Sequence, residues 1–393
     1  MATEVLLYLT YLAVILLIGL LTSIVSQKLR IPNVLLLLII GIGLGRVEYK
    51  NAPLIHFPEM LMTSISILAL AMIAFDSTSK LKPRKIDYFS LHTFWLSAVF
   101  LLFNLIFLAG LARWIFGVSW VSAAIFGALM SGTDFSGALS FLRGAKKHVF
   151  EFLELESGFS TIFAILLPFL ILDINMAFEA VNGPWILIQN LILSTAVGVL
   201  AGLVMFKFIG RKYSSVSSPL AVIVCALLAY IIAEKFDGNG VLAVAAMGLL
   251  FGKVHLDHKP QLQSFASVFL NSLESLVFVA IGLVVSIDFS ANFLIKSVIL
   301  FLLYWGIRLM AMLFSLRGMS FTLNEKIFMA LNGQKGIAVA VVVLAFANLN
   351  VSGMGEVLDL AITFMLYSIF LSAFATRTAK FFMPGISDVK KNS

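Results

Sequence analysis

Apolar residues along this chain come in near-continuous runs, separated by short polar, basic or Gly/Pro-containing segments. Runs of about 20 residues match the length needed to cross roughly 30 Å of hydrocarbon as an α-helix. The pattern predicts thirteen spans: 5–26, 32–46, 59–76, 89–117, 119–142, 151–172, 184–209, 216–235, 239–252, 265–287, 292–316, 324–348 and 356–383. The second and ninth are short and Gly-rich. An odd number of spans puts the two ends of the chain on opposite sides of the membrane. Two of the runs are broken by glycines beside polar residues. The fifth contains Ser131-Gly132-Thr133-Asp134-Phe135-Ser136-Gly137, and the twelfth contains Asn332-Gly333-Gln334-Lys335-Gly336-Ile337. With 184–209 as a linker helix, spans 1–6 (about 1–175) and 8–13 (about 214–385) form two six-helix halves of opposite orientation, with the interruptions at corresponding positions. Interrupted helices at matching places in inverted repeats point to a substrate site near the bilayer midplane. The expectation is therefore an all-α polytopic membrane protein, one transmembrane domain over 1–393 built as two inverted repeats with crossing interrupted helices, and a short tail at 386–393.

Composition narrows the class. Hydrophobic residues make up 61% of the chain and charged residues 12%, with a mean hydropathy of +1.05, outside the range of soluble domains. Cys225, the single cysteine, lies within an apolar run, which excludes a disulfide framework and a thiolate metal site. The first run has neither a basic leader nor a small-residue cleavage site and reads as a retained span. The net charge of +7 follows a topological pattern. Loops after odd-numbered spans and the tail carry 20 of the 27 Lys and Arg residues, whereas loops after even-numbered spans carry 5. Basic residues collect on the cytoplasmic side, so the N-terminus is expected outside and the C-terminus in the cytoplasm, consistent with a prokaryotic plasma membrane protein. The charge is thus topology rather than nucleic-acid binding. The loops are too short for a soluble catalytic domain. His255 and His258, with Asp257, read as a solvated loop rather than a metal site, so neither an enzyme nor a bound cofactor is expected.

Ionisable residues inside spans are costly and mark functional sites. Asp134 is the foremost, because the glycines and hydroxyl residues around it loosen the helix and free backbone dipoles for an ion. Arg308 lies in Leu303-Tyr304-Trp305-Gly306-Ile307-Arg308 and cannot shed its proton. Its candidate partners are Glu156 and Glu154 at the start of the sixth span, Glu156 being the better placed for a structural ion pair. Lys335 completes the set. Among these residues charge balances, Asp134 and Glu156 against Arg308 and Lys335.

The order and spacing of several segments resemble the monovalent cation/proton antiporter superfamily, the sodium/proton exchangers, across nearly the whole chain. Arg30-Ile31-Pro32 with Gly41-Ile42-Gly43-Leu44-Gly45 is similar to the family's second span. Phe75-Asp76-Ser77 through Arg84 resembles the acidic end of its third, and Ile281-Gly282-Leu283 its tenth. Thr133-Asp134 resembles the pair in the unwound fifth span, with Arg143-Gly144 closing that helix. Glu156-Ser157-Gly158 is similar to the start of the ion-binding sixth span. Arg308 falls where the family pairs an arginine with that glutamate, and Gly333 to Gly336 falls at the second crossing helix. The resemblance implies a homodimer in lipid, in which a six-helix core moves against a scaffold and exchanges Na⁺ or K⁺ for H⁺ by alternating access.

One departure stands out: where the family has Asn-Asp, this chain has Ser160-Thr161. A hydroxyl can coordinate an alkali cation but does not titrate. Proton coupling would then fall on Asp134, with Glu156 in reserve. Thr133, Ser157, Ser160, Thr161 and freed carbonyls would supply oxygen ligands, with Lys335, Gly333 and Gly336 supporting the crossing. Binding either a proton or a cation to the acid cancels a buried charge, which couples the two fluxes. Two other readings stay open: the same fold with a different substrate or an uncoupled ion pathway, and a transport-inactive sensor or partner subunit.

Overall fold

The computed structural model describes residues 2–29, 32–49, 52–53, 57–81, 88–135, 147–179, 182–209, 217–254, 259–284, 290–349 and 353–382. Several sequence features therefore lie outside the described residues: Arg30-Ile31, Arg84, Ser136-Gly137, Arg143-Gly144, the loop with His255, Asp257 and His258, and the tail at 386–393.

The chain is helical apart from a two-residue antiparallel pair, Glu48–Tyr49 with Ala52–Pro53. In order, the helices are α1 (Ala2–Leu29), α2 (Asn33–Gly45), α3 (Glu59–Ser79), α4 (Tyr88–Phe103), α5 (Ala109–Phe116), α6 (Trp120–Leu129), α7 (Lys147–Glu179) and α8 (Gly183–Ile209). They continue as α9 (Ser217–Lys235), α10 (Gly240–Lys253), α11 (Lys259–Val284), α12 (Ala291–Ser315), α13 (Leu323–Leu331), α14 (Ile337–Asn348), α15 (Gly355–Arg377) and α16 (Ala379–Phe382). A π-helical turn, Asn104–Leu108, joins α4 to α5 in one continuous rod. Among the described residues, nine helical segments are long and apolar enough to cross a membrane, and four shorter apolar helices accompany them: α2, α6, α10 and α14.

The elements follow the apolar runs with two informative differences. Helix α7 extends past the expected end at 172 to Glu179, because Asp173, the polar residue that follows the apolar run, is accommodated within the helix by a hydrogen bond from Asn239 Nδ2 at 2.8 Å. The twelfth run is two helices, α13 and α14, separated by a non-helical stretch at 332–336. Each short half needs its own terminal chemistry. At the start of α13, Thr322 and Glu325 form a reciprocal capping box, which satisfies two otherwise orphaned N–H groups.

The helices pack in two groups. Helices α1, α2, α3, α8, α9, α10 and α11 contact one another; α4 to α7 and α12 to α16 form the second set. Helices α3 and α11 of the first group meet α7 and α14 of the second, and that seam holds the site. Large apolar side chains on the perimeter are exposed, among them Trp114, Phe208, Ile295 and Phe370, as befits a surface solvated by lipid tails.

Within the first group α2 crosses closely on α11. A side-chain carbon added at Gly282 would stand 2.5 Å from the Gly41 carbonyl carbon, and one at Gly41 would stand 2.8 Å from the Val279 carbonyl oxygen. In lipid, where apolar burial drives little helix association, such small-residue contacts let backbones approach and gain dispersion energy. Gly282→Val should therefore pry the pair apart, at an overpacking cost of about 1–3 kcal/mol. The measurement is thermal unfolding in detergent. A melting temperature equal to that of the wild type would show that this crossing contributes nothing to stability.

Candidate functional site at the crossing of two broken helices

Helix α6 ends at Leu129, with Met130 as its C-terminal cap, and the chain then runs non-helically through Asp134 and Phe135. The break between α13 and α14 lies against it. The two are joined by a backbone hydrogen bond, from the Asp134 N–H to the Gln334 carbonyl at 2.8 Å. Breaking a helix at this depth leaves carbonyls without donors, and an unsatisfied carbonyl in the bilayer costs several kcal/mol. Lys335 supplies the donor. Its Nζ reaches the carbonyls of Met130 at 2.7 Å and Gly132 at 2.6 Å, at the negative end of the α6 dipole. The ammonium also lies 4.8 Å from the centroid of the Tyr304 ring and 5.8 Å from that of Phe100, within cation–π range. The lysine is 1% exposed, so these groups stand in for water.

The second break is held from outside by a polar stripe on α15. Ser368 Oγ accepts from the Lys335 N–H at 3.0 Å, while Ser372 and Thr376 donate to Asn332 Oδ1 at 3.0 and 3.1 Å. The spacing of four residues puts all three hydroxyls on one face of that helix.

Arg308 and Glu156 meet in a bidentate pair. Nη1 reaches Oε1 at 3.0 Å and Nη2 reaches Oε2 at 3.1 Å, with the residues 2% and 1% exposed. Of the two acids weighed from the sequence, Glu156 holds the arginine, while Glu154 is exposed and lines the cavity described below. Arg308 Nε also donates to the Ala330 carbonyl at 3.1 Å, at the end of α13. Gly333 makes room for it, because a side chain there would overlap the guanidinium. One arginine on α12 thus ties α7 to the broken helix.

Hydroxyls knit the first break to α7. Thr133 Oγ1 and Ser160 Oγ are 2.7 Å apart; Ser157 Oγ donates to the Thr133 carbonyl at 3.0 Å, and Thr161 Oγ1 donates to the same oxygen at 3.4 Å. Ser160 is fully buried behind Thr133 and is not a cavity residue; its hydroxyl also accepts from the Thr133 N–H at 3.2 Å. Thr161, Ser157, Thr133 and Asp134 do line a cavity.

That cavity, about 290 Å³, lies in the seam between the two helical groups. Asp76, Ser77 and Lys80 of α3 and Ser267, Leu270 and Asn271 of α11 form one wall; Asp134, Glu154, Ser157 and Thr161 with Gly336 to Val339 form the other. Gly336 caps the start of α14, and a side chain there would overlap the Asp134 carboxylate. Asp134 is thus set against the positive end of the α14 dipole, where an anion is favoured.

The structure corrects the charge count. The sequence-based balance of Asp134 and Glu156 against Arg308 and Lys335 omits two acids. Asp76 is buried at the cavity wall, taking a hydrogen bond from Ser267 Oγ at 3.1 Å and an ion pair from Lys80. Glu274 is a further acid, within α11. With Glu154, which also lines the cavity, these groups make five acidic side chains against the three basic ones of Arg308, Lys335 and Lys80. Glu274 was legible from its sequence: it stands in the middle of the apolar run 265–287, the same signal that singles out Asp134.

A sequence profile described as sodium/hydrogen exchanger, transmembrane, matches residues 12–379. Among curated relatives, the K⁺/H⁺ antiporter NhaP of Alkalimonas amylolytica is 27% identical over 350 residues, covering 85% of this chain and 59% of that protein. The K⁺/H⁺ antiporter NhaP2 of Shewanella sp. (strain ANA-3) is 25% identical over 247 residues, covering 60% of this chain and 42% of that protein. The chain thus spans about half the length of these relatives. The solved structure of the sodium proton antiporter MjNhaP1 from Methanocaldococcus jannaschii superposes with a TM-score of 0.76 at 20% identity, covering 99% of this chain and 100% of the other.

The buried pair carries a stability prediction. Removing one partner strands the other charge, at about 3–5 kcal/mol. Glu156→Gln and Arg308→Met should each lower the unfolding temperature in detergent, and the double variant should lose less than the sum of the two. Strictly additive losses would show that the ion pair carries no coupling energy.

Proposed function

This chain belongs to the sodium/hydrogen exchanger family, and on that premise we propose that it is a secondary transporter exchanging Na⁺ or K⁺ for H⁺ through the cavity at the seam. The observation that carries the proposal is the setting of Asp134. Its carboxylate lies at the seam cavity, beside the hydroxyls of Thr133, Ser157 and Thr161 and at the N-terminus of α14. Hard alkali cations prefer such oxygen donors. A single carboxylate can hold a proton or a metal cation but not both, so competition for Asp134 would link the opposite fluxes. Ser160 is assigned to positioning, because its hydroxyl is engaged with Thr133. Glu156 and Arg308 are assigned a structural role, each satisfying the other away from the cavity. Lys335, Gly333 and Gly336 are assigned to hold the crossing.

The breaks beside Asp134 and Lys335 support two inverted halves, about 1–175 and 214–385, joined by α8, and hence thirteen spans. The basic residues at the cavity-side ends of α3 and α7 and at the start of α11 support a cytoplasmic opening, with the N-terminus outside and the C-terminus inside, in a prokaryotic plasma membrane. By family resemblance we assign a homodimer embedded in lipid.

Proteoliposomes with an imposed pH gradient test the reading, each alkali cation being added in turn. Wild-type protein should dissipate the gradient on addition of Na⁺ or K⁺, and Asp134→Asn should abolish that response without loss of assembly. Exchange persisting in the variant would remove Asp134 from the coupling role. Cation flux without proton movement in the wild type would favour an uncoupled pathway.

The Ser160-Thr161 departure gives a second test. Thr161 shares the cavity with Asp134, so Thr161→Asp places another acid there, and two acids in one site titrate as a coupled pair. The variant should exchange with a displaced pH optimum, measured in the same vesicles. An unaltered pH profile would show that position 161 does not address the ion.

A further inference from the structure

Helix α3 ends on a lysine whose ammonium is not spent on the end of the helix. Lys80 is the C-terminal cap of α3, where a cation is ordinarily favoured by the exposed carbonyls. Other groups serve those carbonyls: the Leu81 N–H donates to the Thr78 carbonyl at 3.2 Å, and Gln263 Nε2 of α11 donates to the Ser79 carbonyl at 2.9 Å. The Lys80 ammonium instead turns back one turn to Asp76 Oδ2. The pair is lopsided, with the Asp76 side chain 10% exposed and the Lys80 side chain 50%. Asp76 also has a neutral donor of its own, because Oδ1 accepts from Ser267 Oγ at 3.1 Å. Both members of the pair line the seam cavity, together with Asp134 and Glu154. Among the described residues that line it, Lys80 is the single base against three acids. An ammonium is a compact monovalent charge on a flexible stem, and this one stands in the cavity proposed to receive a monovalent cation.

We propose that Lys80 is a tethered competitor of the transported cation: its ammonium balances the cavity's acids while no ion is present, and it withdraws to water as an ion enters. This rests on the exchanger reading above and adds the side chain that sets the cation concentration at which the site fills. Two like charges in one cavity repel, so a cation binds only as the ammonium gives way. The half-exposed lysine has water to move into, and Asp76 keeps the Ser267 hydroxyl when it does. Without Lys80, the buried Asp76 carboxylate would wait for an ion with one neutral donor, and an uncompensated buried charge is strongly destabilising. The lysine removes that cost from the empty site and weakens cation binding in exchange. The site therefore fills only when the ion is abundant.

The test uses the whole chain in proteoliposomes, with wild type, Lys80→Met and Lys80→Arg compared for Na⁺- and K⁺-driven exchange over a range of cation concentration. Lys80→Met keeps most of the stem and removes the charge. It should lower the half-saturating concentration by about three- to tenfold, the change expected when one like charge is taken from a shared cavity. Lys80→Arg keeps the charge and should stay near the wild-type half-saturation. A lysine that only stabilises the end of α3 would, when replaced by methionine, lower the maximal rate and leave the half-saturation unchanged, and that result overturns the proposal. An equal fall in Lys80→Arg also overturns it, because charge would then not be the cause. Should Lys80→Met not assemble, the wild type itself answers. Displacement by an ion should raise the reactivity of the Lys80 amine toward a small amine-modifying reagent, read by peptide mass spectrometry, in NaCl or KCl relative to choline chloride of equal ionic strength. Labelling that is indifferent to the cation overturns the proposal. Exchange in the wild type with the half-saturation of Lys80→Met unaltered removes the role of Lys80 alone, whereas no exchange in the wild type with any alkali cation removes the exchanger reading as well.

Discussion

Backbone groups exposed by a broken helix have no water to turn to inside a bilayer, and the architecture around residues 130–135 and 332–336 answers that constraint. Lys335 spends its ammonium on the Met130 and Gly132 carbonyls. The Asp134 N–H finds the Gln334 carbonyl, and the Lys335 N–H finds Ser368. Each break thus satisfies part of the other. Neither could persist alone at this depth, because each unsatisfied group costs several kcal/mol. The crossing is therefore a cooperative unit, and it frees the Asp134 carboxylate to face a cavity instead of a helix interior.

A cationic lysine and arginine buried so close together raise a second electrostatic demand. Arg308 resolves its share through Glu156, with the bidentate geometry that a planar guanidinium allows. Lys335 resolves its share with carbonyl dipoles and aromatic faces rather than with an acid. Acidic side chains outnumber basic ones at the cavity, where Asp76, Asp134 and Glu154 line the wall with Lys80, which suits a site for cations.

The hydroxyl cluster on α7 divides its labour by direction. Ser160 and Thr161 are adjacent in sequence, but successive helix positions point about 100° apart. One hydroxyl turns inward to hold Thr133, and the other turns to the cavity while still reaching the Thr133 carbonyl. The pair therefore does not behave as two equivalent ligands. Asp173 shows the same point in another helix: an acid in an apolar run does not end a span when a neighbouring element, here Asn239, supplies a donor.

Hydropathy and charge alone determined that this is a helical protein with long apolar runs, and singled out the two glycine-broken segments and the ionisable residues Asp134, Glu156, Arg308 and Lys335. These are local properties: run length reports bilayer thickness, and a charge within a run is anomalous whatever surrounds it. Glu274 carries the same local signal, an acid in the middle of an apolar run. Tertiary structure decided everything that depends on distance between remote segments. It chose Glu156 over Glu154 as the partner of Arg308, turned Lys335 onto carbonyls 203 and 205 residues away, and buried Ser160 while exposing Thr161 to the cavity. Pairing between helices depends on rotation about each helix axis and on depth along it, and these are set by packing of whole faces, including the close approach of α2 and α11, rather than by any one residue's neighbours in the chain.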